Sequence, residues 1–368
     1  MARHRLAPPR RLMILILASL VAGGTLLGTG SAIARDEGRN ASAKSDKDDK
    51  NDNREDDRER PGQSRNKDDD KEFPGRDKAD EADDDDYENI LDVEPDREDR
   101  KGPNASNGSF IAKCGTNGNG HRNSDNYMVA PDKRNGAQHV HDYVGNLSTD
   151  AFSDEESLHK AGTTCDRNNK STFFWPVLRD TRFDGDDENR DGGGLDGNFG
   201  RILRPTVAEM RFVGNPRQKV KTMPDDLMII TGDAKAKTNG DKNANAQWTC
   251  TGYENRLTDK YPLCPSGSKL VRILEFPNCW DGENLDSKDM RQHTAFADDD
   301  GDCKDDFEPI PQLRMRLVYD QPPGRNFSLD TFPDQQHDPR TDHADFENMA
   351  PDAVRKLMSD CINDGRNC

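Results

Sequence analysis

Two histidines separated by one residue are the side chains of this sequence best suited to chemistry. His139 and His141 lie in the segment 138–142. On a β-strand, residues i and i+2 project from the same face, so the two imidazoles would lie side by side. Such a pair suits a divalent transition metal, and a third ligand would have to come from His293 or His343. The alternative is a pair of structural histidines that are hydrogen-bonded at a loop.

Carboxylates form the second set of candidate residues. Asp281 and Asp286 follow one another around a turn that begins at Asp281-Gly282. Two carboxylates at a suitable separation could perform acid–base chemistry on a glycoside. Asp345 could act as a base or orient a metal ligand. The sequence favours the alternative for the turn, in which Asp281 and Asn284 cap it through side-chain hydrogen bonds.

A third motif is typical of calcium binding but is incomplete. Residues 187–192 match the first half of a D-x-N-x-D-G loop, yet position twelve would be Asn198 instead of Glu. The sequence therefore favours a divalent transition metal over calcium as cofactor. The chain has no G-x-S-x-G, H-E-x-x-H, phosphate loop or dinucleotide fingerprint, which disfavours α/β-hydrolases, zincins and nucleotide enzymes.

Short alternating segments, more than helices, must position these residues. In residues 311–320 the apolar side chains fall at every second position, as in a half-buried strand. One helix is indicated at 351–362, where Pro351 suits the first turn. Together with long polar loops, these patterns predict a mainly β single domain, built as a β-sandwich or jelly-roll, with one C-terminal helix. Further strands are predicted at 171–179, 206–213, 226–231 and 269–276.

Eight cysteines indicate a domain that is cross-linked by disulfide bonds. All of them lie after residue 109, and an even number in an exported chain is typical of disulfide pairing. Cys250–Cys264 and Cys279–Cys303 are the predicted pairs, because each brackets a short polar loop. The other pairings stay open, and a free Cys368 is the alternative.

The first 34 residues are predicted to be a signal peptide. Arginines precede an apolar run at 12–22, and residues 32–34 give the small-x-small pattern that a signal peptidase needs. The run is too short for a good membrane span. We therefore predict a secreted protein, extracellular or associated with the cell wall, that leaves the membrane when the signal is cleaved. A retained membrane anchor is the alternative.

Residues 35–108 are predicted to form a disordered acidic spacer before a globular domain at 109–368. Between residues 36 and 100 there are 27 acidic and 14 basic residues and almost no large apolar side chains. Such a stretch cannot bury enough surface to offset the entropy of ordering. The net charge of −18 argues against nucleic acid and anionic lipid as partners and suits cationic partners or divalent cations.

Six motifs in order resemble the secreted proteins called domain of unknown function nineteen ninety-six, which are found in fungi and actinobacteria. The resemblance covers roughly residues 109–362. The family often carries a histidine where Met290 stands and another near Phe307, so neither position offers an obligatory ligand here. The motifs are His139-Val140-His141 with Gly145, Thr163-Thr164-Cys165, the segments 173–178 and 228–233, the segment 276–287 with His293, and His343-Ala344-Asp345-Phe346 with Asn348.

The resemblance implies export and association with cell walls or polysaccharide, and it implies no activity. Motifs far apart in sequence that each supply His or Asp suggest one shared site. The first hypothesis is a metal- or carboxylate-dependent enzyme that acts on cell-wall or extracellular polysaccharide. The alternative is a non-catalytic wall-associated protein that binds glycans, through Trp175 and Trp280, or cations.

Overall fold

The computed structural model describes residues 82–96, 101–304 and 306–368. The predicted signal peptide lies outside these residues, as does most of the predicted spacer. In the described part of the chain, no helix has both the length and the apolar character that crossing a membrane requires.

Short strands make up most of the regular structure. The helices are α1 (Glu155–Lys160), α2 (Ala236–Asn239) and the longer α3 (Asp352–Asn363). In chain order the strands are β1 (Tyr87–Asn89), β2 (Ser109–Ala112), β3 (Arg122–Asn123), β4 (His141–Gly145), β5 (Thr172–Pro176), β6 (Leu178–Asp180), β7 (Arg201–Leu203), β8 (Val207–Val213), β9 (Leu227–Gly232), β10 (Gln247–Cys250), β11 (Tyr261–Leu263), β12 (Leu270–Glu275), β13 (Cys279–Trp280), β14 (Thr294–Ala295), β15 (Glu308–Pro309), β16 (Gln312–Tyr319), β17 (Phe327–Leu329) and β18 (His343–Asn348).

Two five-stranded antiparallel sheets dominate the fold. The first has the strand order β10-β12-β16-β8-β2, and the second has the order β3-β4-β5-β18-β9. Three smaller sheets have the orders β1-β11, β14-β13-β15 and β17-β6-β7. The predicted strands and the C-terminal helix are confirmed within a few residues.

The two large sheets pack on one shared hydrophobic core. Along β16, Leu313, Met315 and Leu317 are buried while Arg314 is exposed, as the alternation predicted. The core side chains of this sheet cluster with those of the other, including Phe346, whose ring centroid lies 5.7 Å from that of Phe212. Face-to-face packing of two such sheets is the β-sandwich arrangement, so the predicted fold class is confirmed.

All eight cysteines are paired. Cys250–Cys264 and Cys279–Cys303 form as predicted. The remaining bonds join Cys114 to Cys165 and Cys361 to Cys368. The alternative of a free Cys368 is therefore wrong, because the end of the chain returns to α3 and pairs beside β2.

One segment of the predicted spacer belongs to the folded unit. Within residues 82–96, β1 pairs in parallel with β11, and the side chains of Tyr87 and Ile90 are buried. The Tyr87 hydroxyl donates a hydrogen bond to the Phe327 carbonyl at 2.5 Å. Disorder is thus a wrong prediction for this segment, because its few apolar side chains find a place in the core. The spacer before residue 82 stays a prediction.

Candidate metal centre

Three histidine side chains converge on one point at an end of the second sheet. The Nε2 atoms of His139 and His141 are 3.1 Å apart, and those of His139 and His343 are 3.2 Å apart. The third distance, between Nε2 of His141 and Nε2 of His343, is 3.4 Å. All three residues are buried. We call these residues the histidine trio.

Sheet register explains why residues two hundred positions apart meet. β4 and β18 are both antiparallel neighbours of β5, so they run in the same direction and begin at the same end of the sheet. His141 is the first residue of β4 and His343 the first of β18. His139 lies in the loop just before β4, where Gln138 has a positive φ of 53°. The prediction that both histidines share a strand is therefore wrong for His139, although its ring still reaches the same point.

Backbone carbonyls determine which ring nitrogens carry protons. Nδ1 of His141 lies 3.1 Å from the Asp125 carbonyl oxygen, and Nδ1 of His343 lies 2.8 Å from the Thr341 carbonyl oxygen. A carbonyl only accepts, so each Nδ1 donates its proton and each neutral ring keeps a lone pair on Nε2. Two lone pairs then face each other, and one proton on His139 cannot satisfy both. A cation between the nitrogens would.

Burial keeps the trio neutral. It lowers the pKa of all three imidazoles, and repulsion from the neighbouring rings lowers the pKa of His139 and His141 further, well below the ordinary value. Neutral imidazole is the form that binds metal ions. The trio is therefore held in its ligand form.

The spacing of the three nitrogens fits one metal ion. Tetrahedral zinc with bonds of about 2.0–2.1 Å to nitrogen requires ligand nitrogens roughly 3.3–3.4 Å apart. The three observed distances lie between 3.1 and 3.4 Å. Three protein ligands leave a fourth coordination position for water or substrate, the arrangement found in catalytic zinc sites.

The trio borders a cleft of about 750 Å³ that is open to solvent. His139, His343 and Asp345 line it, together with Asp286. Sites of this size accommodate small molecules or short polymer segments. A metal ion on the trio could therefore be reached from outside.

A buried ion pair fixes the strand that carries His343. The carboxylate of Asp342 accepts from Arg272 at 2.5 and 3.1 Å, and both side chains are fully buried. Arg272 also donates to the carbonyl of Pro176 at 2.8 Å, and Pro176 pairs with His141 across the sheet. One guanidinium thus ties the residue before β18 to the end of β5, the strand that pairs with both ligand-bearing strands.

A second buried ion pair fixes the segment between His139 and His141. Asp330 accepts from Arg179 at 2.5 and 2.9 Å, and its Oδ2 accepts the Val140 N–H at 3.2 Å. A second edge of the guanidinium, formed by its two terminal nitrogens, donates to both oxygens of Asp187, at 2.7 and 2.8 Å. The first carboxylate of the calcium-like motif therefore binds an arginine and supports the trio indirectly.

A row of ionisable residues continues from the trio along β18. His343, Asp345 and Glu347 share one face of the strand and are buried. The Asn126 amide donates to Asp345 at 3.4 Å, and the Tyr127 hydroxyl donates to Glu347. Burial raises the pKa of each carboxyl to about 7. The hydrogen bonds lower the pKa, but burial has the larger effect.

Two other predicted site residues lie outside the trio. Nδ1 of His293 lies 2.9 Å from the Ser287 hydroxyl, and its Nε2 lies 2.7 Å from the Met228 carbonyl oxygen. Both ring nitrogens are therefore engaged by the protein, and the structure does not place His293 with the other three. Asp281 accepts the N–H groups of Glu283 and Asn284 at 3.0 and 2.9 Å, which is the turn-capping arrangement that the sequence favoured.

A family model described as Domain of unknown function (DUF1996) matches residues 127–348. This range contains the whole trio and Asp345. No curated protein and no solved structure matches the chain. Because the match spans more than half of the chain, the protein belongs to the DUF1996 family.

Proposed function

We propose that this protein is a secreted, metal-dependent hydrolase of extracellular polysaccharide, and that His139, His141 and His343 hold its catalytic ion. The observation that carries the proposal is the convergence of three Nε2 atoms beside an open cleft. A bound cation would satisfy the facing lone pairs of these buried neutral histidines, which a purely structural role would leave unsatisfied.

The trio and its neighbours would divide the chemical work. A divalent ion at this position supplies a Lewis acid and lowers the pKa of a bound water molecule. The Asp125 and Thr341 carbonyls orient His141 and His343 and set their tautomers. Asp345 lies two residues beyond His343 on the same face and lines the cleft, so it is the candidate base. Asp286, which is exposed at the cleft wall, is a candidate for substrate contact.

The lining of the cleft suits a carbohydrate. Asn126, Asn239 and Ser287 contribute polar side chains to the lining, while Val129 and Phe332 offer apolar surface for the C–H faces of sugar rings. The predicted export supports a substrate outside the cell. The glycan-binding alternative loses one of its two tryptophans, because Trp175 is fully buried. Trp280 is partly buried and its indole N–H donates to the Asn284 carbonyl.

Metal analysis of protein purified without a histidine tag tests the proposal. Wild-type protein is expected to carry about one equivalent of zinc or another divalent transition metal, and His139→Ala and His141→Ala are expected to lose it. Release of reducing ends from wall polysaccharide should fall in parallel. His159→Ala is the matched control, since that histidine is partly exposed and already paired with Asp226. If both trio variants keep their metal and any activity, the proposal fails.

A further inference from the structure

We infer that the cleft selects an anionic substrate, an acidic polysaccharide, and that Lys235 binds one of its carboxylates beside the metal centre. The inference rests on the proposed function, and it concerns which polymer that site accepts.

The balance of charge in the cleft differs from that of the chain. The chain carries a net charge of −18, yet the cleft is lined by equal numbers of basic and acidic residues. Because the three histidine ligands are neutral, a divalent ion would make the occupied cleft positive. A positive cleft in a negative molecule focuses its field on an incoming anion. The lining residues are Lys133, Lys235, Lys288 and Arg291 on the basic side, and Asp233, Asp286, Asp289 and Asp345 on the acidic side.

Most acidic groups of the cleft are already engaged by donors of the protein. Asp289 accepts the N–H groups of Arg291 and Gln292, each at 3.1 Å. Asp233 accepts the Lys235 N–H at 2.9 Å and the Asn239 amide at 3.2 Å. These hydrogen bonds occupy the oxygens that a substrate donor would otherwise meet.

The basic groups keep their donors available. Within the described ranges, the ammonium groups of Lys133, Lys235 and Lys288 form no ion pair with a carboxylate. All three side chains are exposed. Free donors beside engaged acceptors are what an anion-binding site requires.

Lys235 has the best-defined position relative to the trio. Its Nζ lies 4.4 Å from the centre of the Phe332 ring, and that ring packs edge to face on His139 with centroids 5.1 Å apart. The cation–π contact holds the ammonium group beside a metal ligand without neutralising it. On the other wall, Arg291 donates to the Gly232 carbonyl at 2.6 Å, which fixes its guanidinium at the cleft.

Calorimetric titration of the zinc-loaded full chain with two probes tests the inference. The probes are an oligogalacturonate and its fully methyl-esterified form, which share a backbone and differ in charge. We expect the charged probe to bind about tenfold more tightly than the ester. Lys235→Gln should weaken binding of the charged probe by about tenfold and leave the ester unaffected. Lys356→Gln is the control, because Lys356 and its partner Asp360 lie on α3 and do not line the cleft.

Several outcomes would overturn the inference. Equal binding of both probes, binding of neither, or an unchanged affinity for the charged probe in Lys235→Gln would each do so. Binding of a phosphate-bearing polymer without binding of oligogalacturonate would overturn the assignment of a carboxylate. Metal content measured on the same samples separates the two proposals. Metal-loaded protein that does not bind the oligogalacturonate refutes this inference alone, whereas protein that binds neither zinc nor another divalent transition metal refutes the metal centre.

Discussion

Among the residues that the structure describes, two groups of side chains have the composition of a metal site, and they differ in burial and charge. The histidine trio is buried and contains no carboxylate. The second group, Glu155, His159 and Asp226, lies around α1, and the side chains of its ion pair are 38% and 18% exposed.

The difference in burial and charge indicates which of the two groups requires a bound metal ion. In the surface group, Nε2 of His159 lies 2.9 Å from a carboxylate oxygen of Asp226, so each group already has a partner and water is near. In the trio, backbone carbonyls accept the Nδ1 protons of His141 and His343, so the Nε2 lone pairs of these two rings face one another. Both groups have ligand types that bind metal ions, whereas the positions of the protons and the burial favour the trio.

The largest expected effect is the loss of unfolding free energy when the buried ion pair that supports the trio is broken. Asp342→Asn leaves the guanidinium of Arg272 buried without a counter-charge, which is expected to cost about 3–5 kcal/mol of unfolding free energy. Asp226→Asn in the surface group should cost below about 1 kcal/mol. Urea denaturation with the disulfides intact measures both. Equal costs for the two substitutions would remove the distinction between the regions.

A pH effect of slightly smaller size is expected at Glu347, which lies between the two regions. Its folded pKa is raised from 4.5 to about 7, mainly by burial and also by the charges of Asp226 and Glu155. The Tyr127 hydrogen bond and His159 lower the pKa, but by less. The folded state therefore binds the proton more tightly than the unfolded state. Its stabilising contribution is complete below about pH 4.5 and is lost as the pH rises through about 7, by about 3 kcal/mol at most.

Glu347→Gln tests this pH dependence. The neutral amide can still accept from Tyr127, so the variant should show a flatter stability profile between about pH 5 and 8 than the wild type. Glu156→Gln removes an exposed carboxylate of α1 that pairs with Lys160 and does not act on Glu347, so it is the matched control and should retain the slope. A slope that is unchanged in Glu347→Gln would show that its carboxyl titrates normally.

Metal binding should stabilise the protein through the trio alone. Free zinc at about one hundred times its Kd is expected to add about 2.7 kcal/mol to the unfolding free energy. His343→Ala should abolish this gain, and His159→Ala should preserve it. The shift of Tm on adding zinc to chelator-treated protein is the measurement. A shift that survives in His343→Ala, or one that is lost in His159→Ala, would contradict binding through the trio alone.

The sequence was sufficient for local features. Apolar alternation predicted β16, two disulfides were predicted from short polar loops, and the Asp281 turn cap was the favoured interpretation of its segment. Each of these depends on residues close together in the chain. The H-x-H spacing likewise identified two members of the trio.

The third ligand required information that the sequence does not carry. His293 and His343 were equal candidates, and only the pairing of both β4 and β18 with β5 separates them. The supporting ion pairs were missed as well. Arg272 did give a signal, since it interrupts an otherwise apolar strand, but its partner Asp342 is seventy residues away. Such long-range pairs are set by register, which alternation alone does not determine.

The smallest expected effect concerns the surface pair itself. A double-mutant cycle with His159→Ala and Asp226→Asn should give a coupling energy of about 0.2–1 kcal/mol, because both groups are partly solvated. Asn is the suitable replacement, since position 226 has a positive φ of 57° that Asn tolerates. Added salt should reduce the coupling. A coupling above about 2 kcal/mol that resists salt, or loss of bound metal in either variant, would mean that the exposed group behaves as the buried one does.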